Sequence, residues 1–453
     1  MTMLRLSLTC VAALGLSACD GKSQSDPAPT KTTSKEPAKA SQETKPPIVE
    51  PTPKRPPVPE DTAPTFESEL ARLDREIESN RDRADKQPNS FIIRGQLASK
   101  YLGRARLSGD WADYGKADAI VEEAFKIREG NGPWMVRARL NYTLHRLPRV
   151  KEDLDTIRAT QMKTLKADGV IGLTVFEGEY AFQMGDYEAA QTKYAKALEM
   201  DEQHHGATIS QAIYLWKTAK FEEADTLIEK ARAQYHGKAA EPRAWLYLIQ
   251  GLMDLDQGRY DDALAHYRDA EEELSGYWLI DEHIAEILTL TGKTEEAKKV
   301  YLDVIERTGN PEFLDAMAGI LREEGKEDEA KAYIAKARAK YEEQLAQYPE
   351  AAYGHALGHF LEFGDDPKYT VELAEKNHTV RPNGEAKTLL AQAYLAAGDT
   401  KKAKKVIEQA LKTPFSTADL HATAAEVYEK LGDAAKGKEQ RDKALAINPK
   451  AFE

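Results

Sequence analysis

Cysteine is almost missing from this chain: 453 residues contain two, Cys10 and Cys19. Beyond Cys19 no thiol exists for a disulfide, a thiolate metal site or a cysteine nucleophile. Long apolar runs are missing too. No stretch of about 18 apolar residues follows the N-terminus and mean hydropathy is −0.61, which rules out a bundle of membrane-spanning helices. Positive charge is in short supply, with 63 Lys and Arg against 76 Asp and Glu for a net −13. That balance argues against nucleic acid, whose phosphates demand a basic face, and favours solubility and basic partners. Aromatic residues reach only 8%, while charged residues make up 31%, which suits long solvated helices. Catalytic motifs are absent as well: there is no Gly-rich phosphate loop, nucleophile elbow or H-E-x-x-H. No catalytic residue, metal site or cofactor is expected.

The chain does carry, at its start, Arg5 and the apolar stretch Leu6 to Leu16, too short to span a bilayer and arranged like an export signal. Leu16-Ser17-Ala18-Cys19 then resembles the bacterial lipobox, where small residues fit the processing peptidase and the cysteine is acylated before cleavage. The resemblance implies a lipoprotein signal peptide at residues 1–18 and lipidation, as by palmitate, at Cys19. The alternative is an ordinary signal with an incidental cysteine. Asp20 resembles the mark that holds enteric lipoproteins in the inner membrane, so the expected anchor leans that way, with the outer membrane open.

Residues 19–64 carry 11 of the 21 prolines, mixed with Lys, Ser, Thr and Glu. Too little apolar surface is available to offset chain entropy, so a disordered tether is expected. It would reach between ~40 Å as a coil and ~140 Å fully extended. Lys54-Arg55-Pro56-Pro57-Val58-Pro59 also suits an aromatic groove, but spacers of this composition need no such ligand role. Thr65 reads as the N-cap of a helix bearing Phe66, Leu70, Leu73 and Ile77 at helical spacing. The stripe is too short for a coiled coil, so residues 65–88 are expected to form a capping helix over the first repeat.

From residue 89 to 453 a helical-hairpin pattern returns about every 34 residues. It is clearest at Gly178…Gly185-Asp186-Tyr187-x-x-Ala190…Tyr194…Ala197 and at Gly251…Gly258-x-Tyr260-x-x-Ala263…Tyr267…Ala270. Ala190, Ala224, Ala263, Ala297 and Ala330 hold one position of the second helix, with a loop insertion around Gly237-Lys238-Ala239-Ala240. A hairpin from Phe91 to Phe125 with a long turn at Gly109–Tyr114, and a weaker one from Met135 to Ile157, precede the series. A divergent unit around Gly364 and Pro382 follows, then two marked by Gly398-Asp399 and Gly432-Asp433. Alanines and glycines let paired helices approach while tyrosines fill the gaps. Gly-Asp supplies a left-handed turn and then a polar helix start. The wet last helix, Ala434–Ile447, can close the array. These positions resemble the tetratricopeptide repeat (TPR). The resemblance implies an all-α TPR superhelical solenoid of about nine to ten helical hairpins, built for interaction rather than catalysis.

In TPR arrays the first helix of each hairpin lines a concave groove. Mapped onto this chain, the groove positions are apolar in the earlier half: Val175, Phe182, Ile209, Ile213, Trp216, Trp245, Leu248, Leu252 and Leu255. In the later half they are Glu282, Glu286, Asp315, Glu323, Glu426 and Glu429. One reading is an apolar shelf running into an acidic trough, suited to a peptide segment with a basic end. The other packs the apolar set between hairpins, since one residue of register turns a side chain by about 100°. His355 and His359 stand four apart and could share a metal with Glu362, although a structural role fits better without a placed third ligand. His204-His205 sits at a helix end, where histidine serves as a C-terminal cation. Asn141-Tyr142-Thr143 and Asn377-His378-Thr379 match the glycosylation triplet by accident in a chain with a bacterial-type signal.

In plan the chain is similar to bacterial TPR lipoproteins that support outer-membrane protein assembly, pilus secretin assembly and peptidoglycan-enzyme regulation. That resemblance implies a membrane-anchored periplasmic scaffold docking envelope proteins or their peptide segments. The rivals are a periplasmic chaperone using the apolar shelf and a metal-dependent regulator using the His355/His359 face.

Overall fold

Thr65 starts the first helix with a reciprocal capping box: its hydroxyl accepts from Ser68 N at 3.1 Å, and Ser68 Oγ accepts from Thr65 N at 2.9 Å. The computed structural model describes residues 64–453 except Glu129 and Lys238. The expected signal peptide, Cys19 and all of the tether but Pro64 lie outside the described residues. Helix α1 (Phe66–Lys86) is followed by ten hairpins. They pair α2 (Phe91–Ser108) with α3 (Trp111–Ile127), α4 (Trp134–Thr143) with α5 (Leu147–Thr160), and α6 (Ala167–Gln183) with α7 (Tyr187–Met200). Next come α8 (His205–Lys217) with α9 (Phe221–Gln234), α10 (Glu241–Asp256) with α11 (Tyr260–Glu273), and α12 (Trp278–Leu290) with α13 (Thr294–Thr308). The array continues with α14 (Pro311–Glu323) and α15 (Glu327–Gln347), then α16 (Pro349–Glu362) and α17 (Pro367–Val380). It ends with α18 (Gly384–Ala396) and α19 (Thr400–Ala410), then α20 (Ala418–Lys430) and α21 (Ala434–Ile447). Among the described residues no helix is long and apolar enough to cross a membrane.

The repeated small residues set the packing. Ala190, Ala224, Ala263, Ala297 and Ala330 are all fully buried. Any Cβ on Gly178 would stand 2.5 Å from the Tyr194 ring, so glycine here is what lets α6 close on α7. First helices form the inside and second helices the outside. Thus α8 buries ten of its 13 residues, whereas α9 buries only Ala224, Ile228 and Ala231. The Gly-Asp pairs behave as their chemistry dictates: Gly398 and Gly432 are left-handed, while Asp399 and Asp433 cap α19 and α21. Two local expectations need correction. The turn expected over Gly109–Tyr114 shrinks to Gly109 and Asp110, because Asp110 caps α3 directly. His204 is an N-cap rather than a C-terminal cation, its Nδ1 accepting from Ala207 N at 3.0 Å, because α7 has already ended at Met200.

The array winds far enough for its second coil to rest on its first. Phe66 N donates to Ser275 O at 2.9 Å and Ser416 N to Lys217 O at 3.0 Å. Gly384 N donates to the Tyr187 hydroxyl at 2.7 Å, and Asn448 Nδ2 to Asp256 O at 3.1 Å. The turns inside the first-coil hairpins press on the second coil: a Cβ at left-handed Gly185 would lie 2.6 Å from Pro382 O. Gly432, equally left-handed, has open space around it. Both glycines carry the same backbone strain if substituted, but only one meets a neighbour. Gly432→Ala is expected to cost about 1 kcal/mol and Gly185→Ala about 2–4 kcal/mol in urea unfolding. Equal losses would mean that the coils do not touch there.

Candidate functional site

The inward-facing helices place the predicted groove residues under cover. Val175, Ile209, Trp216, Trp245, Leu248, Leu252 and Leu255 are buried, and Phe182 and Ile213 are half-buried. Most of them belong to one continuous core that also contains residues of the second coil such as Phe415 and Leu420. The structure therefore has the apolar set packed between hairpins and not laid out as an open shelf. Trp216 shows how completely: its Nε1 donates to Asp256 Oδ2 at 2.8 Å, and Lys217 Nζ lies 3.6 Å from its ring centroid.

Beside this core an accessible cleft of about 640 Å³ opens at the seam between coils. Gln191, Gln211, Tyr214, Leu215, Thr218, Lys220 and Glu223 line it from the first coil, and Pro414 from the second. Gln191 and Gln211 face each other across 3.4 Å. The lining thus mixes amides, a hydroxyl and both signs of charge around Tyr214 and Leu215, groups able to pair with an extended backbone. A second cleft, of about 410 Å³, lies between α1, α2 and α3. Its charges are largely spent on one another: Arg104 bonds Asp74 at 2.7 Å and also Asp113, which holds Lys116 at 2.7 Å.

The acidic positions divide in two. Glu323, Glu426 and Glu429 are exposed, with Glu429 paired to Arg441 at 3.1 Å. Glu282 and Asp315 are buried and Glu286 half-buried, so these six do not form one trough. The inward ones belong to an acid–imidazole ribbon on α12, α14 and α16. His355 Nδ1 meets Glu312 Oε1 at 2.6 Å, and His359 Nδ1 meets Asp315 Oδ1 at 2.8 Å. The two histidines thus each take a separate carboxylate and do not converge on a shared ion. Glu362, the third ligand considered for them, has its carboxyl pushed up to about 7 by burial and by the Asp315 charge. His283, on α12, contacts Glu282 and Glu286. Burial opposes its charge, yet the carboxylates win and its pKa is raised. Sequence reasoning misses His283 and Glu312. Glu282-His283-x-x-Glu286, one helical turn with both acids flanking an imidazole, is the available signal.

Ten stacked helical hairpins with small residues at the same inner positions define an α-α repeat solenoid. Tetratricopeptide-repeat family models match residues 176–204, 209–277, 254–320 and 384–414. The fold is an all-α TPR solenoid, and TPR proteins typically act as non-enzymatic protein–protein interaction scaffolds that bind peptide segments of partner proteins. Among solved structures, yeast Tom70 is 16% identical with a TM-score of 0.36, over 83% of this chain and 88% of that one. Human IFIT1, as a dimer with m7Gppp-AAAA, is 14% identical with a TM-score of 0.40, over 82% and 94%. Pseudomonas aeruginosa pilF is 16% identical with a TM-score of 0.34, over 61% and 98%. These likenesses carry no functional argument. No curated protein matches the chain in sequence.

Proposed function

We propose that the chain is held at a bacterial membrane through acylated Cys19 and works in the periplasm as a docking scaffold. Its partners are envelope proteins that present a peptide segment to the seam cleft. Support for the anchor comes from Arg5, the apolar stretch Leu6–Leu16 and Leu16-Ser17-Ala18-Cys19, followed by a Pro-rich segment of tether composition. Asp20 favours the inner membrane over the outer. A tether that confines the solenoid near the membrane raises its effective concentration for membrane-bound partners. More than one acyl chain is needed for a lasting anchor. The observation that carries the docking site is that the inner groove positions are consumed by packing, whereas a cleft rimmed by half-buried Gln191 and Thr218 and by exposed Lys220, Glu223 and Pro414 is accessible. The same burial disfavours the chaperone, because the apolar shelf it would need is inside the core. No observation favours a regulator at His355 and His359.

Two measurements test this reading. Radiolabelled palmitate is expected to mark the wild-type chain and not Cys19→Ser, which should move to the soluble fraction. A photo-crosslinker placed at Thr218 in intact envelopes is expected to yield one dominant product of fixed mass. Palmitate retained by Cys19→Ser refutes the anchor. A broad smear of products supports the chaperone instead, and no product at all removes the cleft as a docking site.

A further inference from the structure

The docking reading makes no use of the cluster on α12, where Glu282, His283 and Glu286 offer one donor atom each within 4.8 Å of one another. Distances separate it from the other acid–imidazole contacts of the chain. His266 meets Asp254 at 2.7 Å, His355 meets Glu312 at 2.6 Å and His359 meets Asp315 at 2.8 Å. Those are lengths of charge-assisted hydrogen bonds. His283 Nδ1 instead stands 3.2 Å from Glu282 Oε2 and 3.2 Å from Glu286 Oε2. One ring N–H has one direction and cannot serve two carboxylates well. Around a tetrahedral zinc ion with ligands at about 2.0–2.1 Å, neighbouring donor atoms lie about 3.3 Å apart. Two of the three donor separations in the cluster match that spacing, and all three lie within 4.8 Å.

A second observation comes from the next hairpin. Glu312 on α14 is buried, and its Oε2 has no hydrogen-bond partner although Oε1 is taken by His355. Glu282 Oε2 is buried without a hydrogen bond as well. The Glu312 charge acts on both Glu282 and His283, so it belongs to the same electrostatic neighbourhood. Burying carboxylate oxygens unsatisfied is costly, and a doubly charged ion among them removes that cost. Tyr267 stacks on the His283 ring with centroids 5.3 Å apart, which fixes the plane in which Nδ1 points. Half-buried Glu286 leaves a way in from solvent.

We propose that Glu282, His283 and Glu286 bind one divalent transition-metal ion on the inward face of α12, within the field of the buried Glu312 carboxylate on α14. One imidazole nitrogen and two carboxylate oxygens suit Zn²⁺ or Mn²⁺ better than Ca²⁺ or Mg²⁺, which prefer all-oxygen shells. The role is structural: the ion offsets the carboxylate charge buried along α12.

The test uses the full chain, stripped with chelator and titrated calorimetrically with ZnCl₂ and, separately, MnCl₂. One Zn²⁺ or Mn²⁺ per chain is expected, and the same ion should raise the melting temperature. His283→Asn and Glu286→Gln should each weaken binding by about 100-fold or more. His359→Asn should leave it unchanged. Glu286→Gln removes a half-buried ligand only, so it keeps the comparison valid if His283→Asn does not fold. Absence of stoichiometric binding by either ion, or equal affinity in Glu286→Gln and wild type, overturns the proposal. Loss of binding in His359→Asn alone moves the ion to the neighbouring pairs and overturns it too.

Discussion

Trp278→Ala is expected to cost about 3–5 kcal/mol and to loosen the first hairpin before the rest of the chain. Trp278 opens α12 and serves two layers at once. Within the second coil its ring lies 5.8 Å from those of Tyr277 and Phe313. Across the seam its Nε1 donates to Leu107 O at 2.9 Å, over 171 residues of sequence. A Cβ on Gly109 would stand only 3.2 Å from the ring, so the turn between α2 and α3 lies against it. Removing the side chain opens a cavity in the core and cuts a bond that ends the α2 carbonyl row. Most repeat hairpins contact only their neighbours, so their loss is local. This one couples hairpins five places apart. Hydrogen exchange should therefore accelerate in α2 and α3 as well as in α12, and Trp278→Phe, which keeps a ring but loses the N–H, should cost about 1–2 kcal/mol. If exchange rises in α12 alone, the seam contributes no stability to the first hairpin.

That coupling is invisible in the sequence, and the reason is geometric. Helix identity follows from local chemistry. Ala190, Ala224, Ala263, Ala297 and Ala330 mark a buried face, and Gly-Asp marks a turn, so the hairpins can be laid out residue by residue. How tightly the hairpins wind depends on small rotations summed over many interfaces, which no single residue records. Winding decides whether an inward face is a groove or a core. Ile209 and Leu248 map to the inward face, yet they are buried in the continuous core packed between hairpins. The same holds for Glu282 and Asp315. Their carboxylates stand out in the pattern, but Asp315 finds its imidazole 44 residues along, past the 21-residue α15. Glu312 and Asp315, three apart, facing His355 and His359, four apart, is a legible match once both helices are known to run side by side.

His359→Ala should be as damaging as Trp278→Ala, and its damage should depend on pH. Asp315 and His359 are each 1% exposed, and His359 Nδ1 lies 2.8 Å from Asp315 Oδ1. Burial pushes the Asp315 carboxyl above its ordinary value of 3.8, while the bond to His359 and the imidazole's charge pull it back. Deleting the imidazole removes the larger part of that opposing pull and leaves the hydrogen bond from Tyr341, so the carboxyl rises further. A carboxyl with a raised folded pKa contributes stability that is fully present below its unfolded value and is lost as pH rises through the folded one. The deficit of His359→Ala should therefore be larger at an alkaline pH than at an acid pH, reaching about 3–5 kcal/mol where the buried carboxylate is charged without its imidazole. Replacing both residues by leucine removes charge and fills space together, and should recover most of that loss. Urea midpoints of the two single variants and the double variant at both pH values give the cycle. A deficit that is flat across this range, or a double variant as unstable as the summed singles, would show that His359 supports α16 by packing on Tyr341 and Phe360 and not by holding the Asp315 charge.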